Sequence, residues 1–159
     1  MSHISKLLML FATLSPELKA EAELKVLALA IAEIESGITY SAIGDRGKAK
    51  GAWQMHKAAW QTANDYREKV QGKQRIKWSQ WGDKKNQLEM AVAYLHWLKD
   101  RFKENGISNP TPQQYYVAWN WGFSKFKRAN FNLHLAPNVS VQNGEYVQNI
   151  YYNIFKNEQ

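Results

Sequence analysis

The chain has 159 residues, 45% of them apolar, which fits a single globular domain over residues 1–159 with a core of its own. It has no repeat of solenoid length and no low-complexity tract, and its formal charge of +7 favours an anionic partner. With no cysteine there can be no disulfide or thiolate metal site, and the scattered His3, His56, His96 and His134 have no helical pair spacing, so neither metal nor cofactor is expected.

At the N-terminus, Lys6 followed by Leu7 to Ala12 imitates the start of a secretory signal. The apolar run is short and Ser15, Pro16, Glu17 and Lys19 interrupt it, so residues 4–13 are read as a short amphipathic helix on the core. No stretch is long enough to span a membrane. Ser15 followed by Pro16 is a helix start, with Glu17 in the first turn where the helix dipole favours it. This helix runs on, with or without a break near Ala20 to Glu23, into residues 23–35, where Val26, Leu27, Leu29, Ile31 and Ile34 are spread around every face, which predicts burial on all sides. It stops at Ser36-Gly37.

Residues 38–55 form a glycine-rich loop with Gly44, Gly47 and Gly51, where any strand must be short. A helix is predicted over 56–70, with Ala59, Ala63 and Tyr66 on one side and Trp60 beside them. Gln71 to Lys85 is dense in Lys and Arg and holds Trp78 and Trp81, a combination that suits a solvated loop pinned by buried rings, stacking on sugars, or single-stranded nucleic acid. Asp83 to Glu104 is the clearest amphipathic helix, with Leu88, Val92, Leu95, Leu98 and Phe102 in register and Gly106 as its stop. Thr111, Pro112 and Gln114 make a capping box for a helix carrying Tyr115, Tyr116, Val117, Trp119 and Trp121. Asn120 is out of character inside that aromatic run, which points to a hydrogen-bonding task. Lys125, Lys127 and Arg128 read as a solvated basic spot, Asn130 to Gly144 as a polar loop, and Glu145 to Asn157 as a last helix packing through Val147, Ile150, Tyr151, Ile154 and Phe155.

The chemistry suggested by this layout centres on Glu35, the last residue with helical spacing before Gly37. A carboxyl at the end of an apolar helix beside a glycine-rich loop is partly desolvated, its charged form is disfavoured, and it can hold a proton to donate near neutral pH. Glu33 lies two residues away and points elsewhere on the helix. Asp45, the only carboxylate in the loop, is either a turn residue within Gly-Asp-Arg-Gly or a second acid that positions water.

Glu35-Ser36-Gly37, then Ala42, Gly47, Gly51 and Gln54, resemble the Glu-Ser signature and Gly…Gly…Gln loop of the soluble lytic transglycosylase family, lysozyme-like enzymes that cleave peptidoglycan. Ala91 to Leu95 with Leu98 resembles that family's Ala…Tyr-Leu helix, Ala118 to Gly122 its Ala-Tyr-Asn-x-Gly motif, and Tyr146-Val147 its closing helix. The pattern departs in a Gly47–Gly51 loop one residue longer than usual, in Gly44 where a serine is usual, in Ala52-Trp53 before Gln54, and in Trp119 for the motif tyrosine. The resemblance implies a mostly α, lysozyme-like domain with a buried central helix and at most a small β element. It implies Glu35 as the catalytic acid, then base, with Ser36, Gln54, Met55, Tyr94, Trp119, Asn120 and Tyr146 on the substrate.

On this reading the substrate is the glycan strand of peptidoglycan, an anionic cell-wall polymer that suits the basic charge. The enzyme is expected as a monomer acting at the wall or in the periplasm, phage-encoded or exported without a convincing signal peptide. A one-carboxylate transglycosylase needs no second acid, whereas Asp45 keeps a lysozyme-type muramidase open. The alternatives of another class are a basic helical nucleic-acid binder resting on residues 69–85, the less favoured partner, and an inactive wall-binding module.

Overall fold

The computed structural model describes residues 13–156. The helix expected over residues 4–13 falls, apart from Thr13, outside the described residues. The described chain is mostly α with one small two-stranded sheet, as the sequence implies.

Helix α1 (Pro16–Ser36) begins where expected: Ser15 Oγ accepts from the Leu18 N–H at 3.3 Å and Pro16 takes the first position. It runs without a break to Gly37, whose left-handed φ of 60° turns the chain out while its N–H returns to the Glu33 carbonyl at 2.9 Å. Leu24, Leu27, Ala28, Ile31 and Ala32 are buried in the core. Burial does not extend all round, however. Lys25, Leu29 and Glu33 follow at intervals of four and share an exposed edge, with Leu29 41% exposed. α1 packs chiefly on the two other long helices.

The loop after α1 folds into a hairpin of β1 (Ile43–Gly44) and β2 (Ala49–Lys50), joined by a 3₁₀ turn over Asp45–Gly47. Trp53, 1% exposed, drops from the loop into the core and donates its indole N–H to the Ala28 carbonyl at 2.7 Å. The loop is further tied down by Gln87, 3% exposed, which accepts from the Ala52 N–H at 2.8 Å and donates to the Tyr40 carbonyl at 2.9 Å. These two bonds satisfy backbone groups that no strand partner reaches.

Helix α2 (Lys57–Lys69) packs on α3 (Lys84–Glu104), which Asp83 caps by accepting from the Asn86 N–H at 2.9 Å. Of the α3 stripe, Val92, Leu95, Leu98 and Phe102 are buried as their spacing predicts, and Leu88, nearer the helix start, is partly buried. Helix α4 (Pro112–Val117) starts at the expected capping box, with Thr111 and Gln114 bonding each other's N–H groups. It does not continue regularly through Trp121. A π-helical turn over Ala118–Gly122 intervenes, Gly122 has φ 100°, and α5 (Phe123–Arg128) follows.

The last helix, α6 (Asn138–Lys156), starts seven residues before the expected Glu145, within the stretch read as a polar loop. Gly144 sits inside it, not before it. A Cβ there would come within 3.0 Å of Gln113 Cγ and 3.1 Å of the Gln113 carbonyl, so the missing side chain lets α6 approach α4 closely. Tertiary packing overrides a weak local propensity here. Among the described residues no helix is long and apolar enough to cross a membrane.

Candidate functional site

The end of α1, the hairpin and the π-helical turn converge on a polar cleft of about 260 Å³. Glu35, Asp45, Ala49, Gln54, His56, Trp119 and Asn120 line it. α1 delivers Glu35 at its last turn, half-buried, while exposed Glu33 lies on the outer edge. The two carboxyls thus point to different sides of α1, and only Glu35 is among the cleft residues.

Burial pushes the Glu35 carboxyl above the usual carboxylate range. One hydrogen bond partly opposes this: Tyr116 Oη donates to Glu35 Oε1 at 2.9 Å and favours the ionised form. Tyr116 is 1% exposed, and both its burial and the adjacent Glu35 charge push its phenol well above the ordinary value, so it stays protonated as a donor. Behind it, Asn143 Nδ2 reaches Tyr116 Oη at 3.5 Å. The result is an acid with a raised proton affinity, one fixed donor, and an open side facing the cleft.

The hairpin wall is conformationally costly. Asp45 and Arg46 have φ of 45° and 54°, and Gln54 has φ 46°, a region that side chains other than glycine, Asn and Asp seldom occupy. Gln54 is held by its own Nε2, which donates to the Gly51 carbonyl at 2.9 Å. Asp45 is both a turn residue and a cleft residue: its Oδ2 lies 3.3 Å from His56 Nε2, with both side chains about half exposed. Asn120 is exposed to the cleft, and its Oδ1 accepts from Ser140 Oγ of α6 at 2.5 Å, which leaves the amide NH₂ free to donate.

The other residues expected on the substrate lie elsewhere. Met55 is 3% exposed and belongs to the core. Ser36 is structural in its contacts, since its hydroxyl donates to the Ala52 carbonyl at 2.8 Å and accepts from the Thr39 N–H at 2.9 Å. Tyr94 stacks on Trp97 at 5.2 Å and meets Trp119 edge-on at 5.2 Å, so it backs a cleft residue without lining the cleft. Burial raises its phenol to about 12. Tyr146, 49% exposed on α6, bonds Gln142 and lies outside the cleft lining.

Tyr116, His56, Ser140 and Asn143 escaped the sequence reading. Only Tyr116 left a trace in the sequence: it precedes Asn120 by four residues, which places two polar groups on one side of an aromatic helix.

No curated protein and no solved structure matches the chain. A family model described as the transglycosylase SLT domain matches residues 15–134, well over half the chain, from the cap of α1 to just short of α6. With its mostly α architecture and an acid at the end of its first described helix, the chain belongs to the SLT transglycosylases, lysozyme-like enzymes that cleave the glycan strands of peptidoglycan.

Proposed function

We propose that the chain cleaves the β-1,4 bond between N-acetylmuramic acid and N-acetylglucosamine as a lytic transglycosylase, with Glu35 acting first as acid and then as base. The observation that carries this is the environment of Glu35: a half-buried carboxyl with raised proton affinity, open to the cleft and fixed by Tyr116. Protonated Glu35 gives its proton to the leaving glycosidic oxygen as an oxocarbenium-like centre forms. The substrate's own 6-hydroxyl then closes on the anomeric carbon, and ionised Glu35 takes the hydroxyl proton. The products are a 1,6-anhydro end and a free hydroxyl, and the enzyme returns to its starting protonation state. Asn120, with its carbonyl occupied by Ser140 and its NH₂ free, suits an acetamide carbonyl, while Gln54 and Trp119 bound the sugar.

A muramidase reading has its own support, because Asp45 lines the same cleft and is paired with His56. There a water activated at Asp45 replaces the 6-hydroxyl and leaves a reducing end. Mass spectrometry of products from purified peptidoglycan separates the two. Glu35→Gln is nearly isosteric and is expected to abolish cleavage. Undiminished cleavage by that variant would refute the assignment of the acid. A gel shift with duplex and single-stranded DNA, run alongside, tests the nucleic-acid alternative.

A further inference from the structure

The basic loop between α2 and α3 contributes nothing to the Glu35 cleft. Both of its tryptophans are partly buried against the core. Trp78 meets Trp60 edge-on at 5.4 Å, and the loop is fastened there by Trp60 Nε1 and Asn64 Nδ2, which both donate to the Ile76 carbonyl at 2.8 Å. Trp81 is placed differently. With Tyr40, Ser41, Gly82 and Lys84 it forms an open, largely apolar hollow of about 360 Å³.

Two ammonium groups stand against its aromatic rings, Lys84 from the lining of the hollow and Lys50 from β2 beside it. Lys50 Nζ is 5.2 Å from the Trp81 ring centre and Lys84 Nζ is 5.0 Å from that of Tyr40. Among the described residues neither lysine is in an ion pair. The neighbouring carboxylate, Asp83, accepts the Asn86 N–H as the cap of α3. The floor is rigid: Tyr40 packs edge-on against buried Trp53 at 6.0 Å, and its carbonyl is held by Gln87. Flat aromatic faces beside two available cations match a ligand that offers an apolar ring face and carboxylates together.

The hollow lies next to the cleft along the chain. Ala49 walls the cleft, and Lys50, the next residue on β2, faces the other way over Trp81, as alternation along a strand requires. One hairpin thus separates the two sites. We propose that the Tyr40–Trp81 hollow is a second binding site for the peptidoglycan strand. In it a sugar ring stacks on the aromatic floor and the carboxylates of the attached peptide stem pair with Lys50 and Lys84. The proposal rests on the peptidoglycan reading above. Stacking plus cations also suits single-stranded nucleic acid, but the shared hairpin and the family's substrate favour the glycan.

The test uses the full chain in a Glu35→Gln background, co-sedimented with two probes: insoluble peptidoglycan as purified, and the same material with its carboxylates capped by methylamine. Trp81→Ala is expected to weaken binding to both by about tenfold, the loss of one stacked ring. Trp81→Phe, which keeps a ring, should retain most of the binding. Lys50→Gln/Lys84→Gln should weaken binding to the native polymer alone, down to the level of the capped one. Thermal unfolding establishes that each variant is folded, and the lysine pair and Trp81→Phe decide the matter if Trp81→Ala is not. Variants that bind like the parent, or a loss confined to an oligodeoxynucleotide probe, overturn the proposal. Cleavage of peptidoglycan by the unmutated chain is measured in parallel: if it cleaves while the variants bind like the parent, this second site alone fails. If it neither cleaves nor binds, the proposed function fails with it.

Discussion

Tyr116→Phe isolates the one hydrogen bond that the Glu35 carboxylate receives among the described residues. The hydroxyl donates at 2.9 Å from a side chain that is 1% exposed, and phenylalanine keeps the ring and its packing. A hydrogen bond to a charged group is worth about 1.5–3 kcal/mol against about 0.5–1.5 for one to the neutral acid, and only this difference, about 1–1.5 kcal/mol or about one unit at 1.36 kcal/mol per unit, is lost from the ionised form. Half-burial of Glu35 places the expectation near the lower end. The hydroxyl stabilises the ionised acid, so removing it raises the Glu35 pKa further, in the same direction as desolvation. The first step needs Glu35 protonated, and the rate therefore falls as pH rises through that pKa. The alkaline limb of kcat/KM for peptidoglycan clearance should then move upward by about one unit. The plateau should fall as well, because the acid loses an orienting contact, but a loss of fold or of binding would also lower a plateau. A limb that stays in place or moves to lower pH refutes the reasoning, and with it the claim that Tyr116 tunes this acid.

The same electrostatics predicts a stability effect. Glu35 binds its proton more tightly in the folded chain than in the unfolded one, so its ionised form costs folding free energy that its protonated form does not. Glu35→Gln should therefore match the parent in urea unfolding at acid pH, below the unfolded-state pKa, and exceed it as pH rises through the folded value. Equal midpoints at all pH values contradict the desolvation assigned to this group. Gln87→Leu leaves the buried Ala52 N–H and the Tyr40 carbonyl without their partners, at about 1–3 kcal/mol each. Urea unfolding should show a loss of about 2–6 kcal/mol, with activity falling because the hairpin wall loosens. Gly144→Leu drives a side chain into the Gln113 backbone and should cost about 1–3 kcal/mol by thermal unfolding.

What the sequence shows plainly is what is local. Ser15-Pro16, Thr111-Pro112-Gln114 and Gly37 set helix ends through contacts within a few residues, and each acts where its chemistry says. The partial burial of Glu35 is local in the same sense, since it closes an apolar helix that enters the core. Its partner Tyr116 is 81 residues away, a separation over which no pattern of spacing reaches. Met55 fits the motif but not the cleft, because the turn that carries Gln54 into the cleft at positive φ sends its neighbour into the core. The π-helical turn at Ala118–Gly122 is equally invisible in a run whose composition is simply aromatic and helical.

The stretch read as a loop, residues 130–144, holds the most consequential misreading, because its helical end organises the cleft from behind. Ser140 and Asn143 are one helical turn apart on α6 and face the same way. Ser140 bonds Asn120, and Asn143 bonds the Tyr116 hydroxyl that in turn bonds Glu35. Gly144, next along, is where α6 comes close enough to α4 for both contacts to form. Two polar groups of the cleft, one at the end of α1 and one in the π-helical turn, are therefore referred to a single rigid element that contributes no residue to the cleft lining. α6 thus touches the Asn120 amide directly through Ser140, and the Tyr116 hydroxyl behind the acid through Asn143. Gly144→Leu is therefore expected to lower peptidoglycan cleavage as well as stability, and a folded variant that cleaves like the parent would show that this helix only packs.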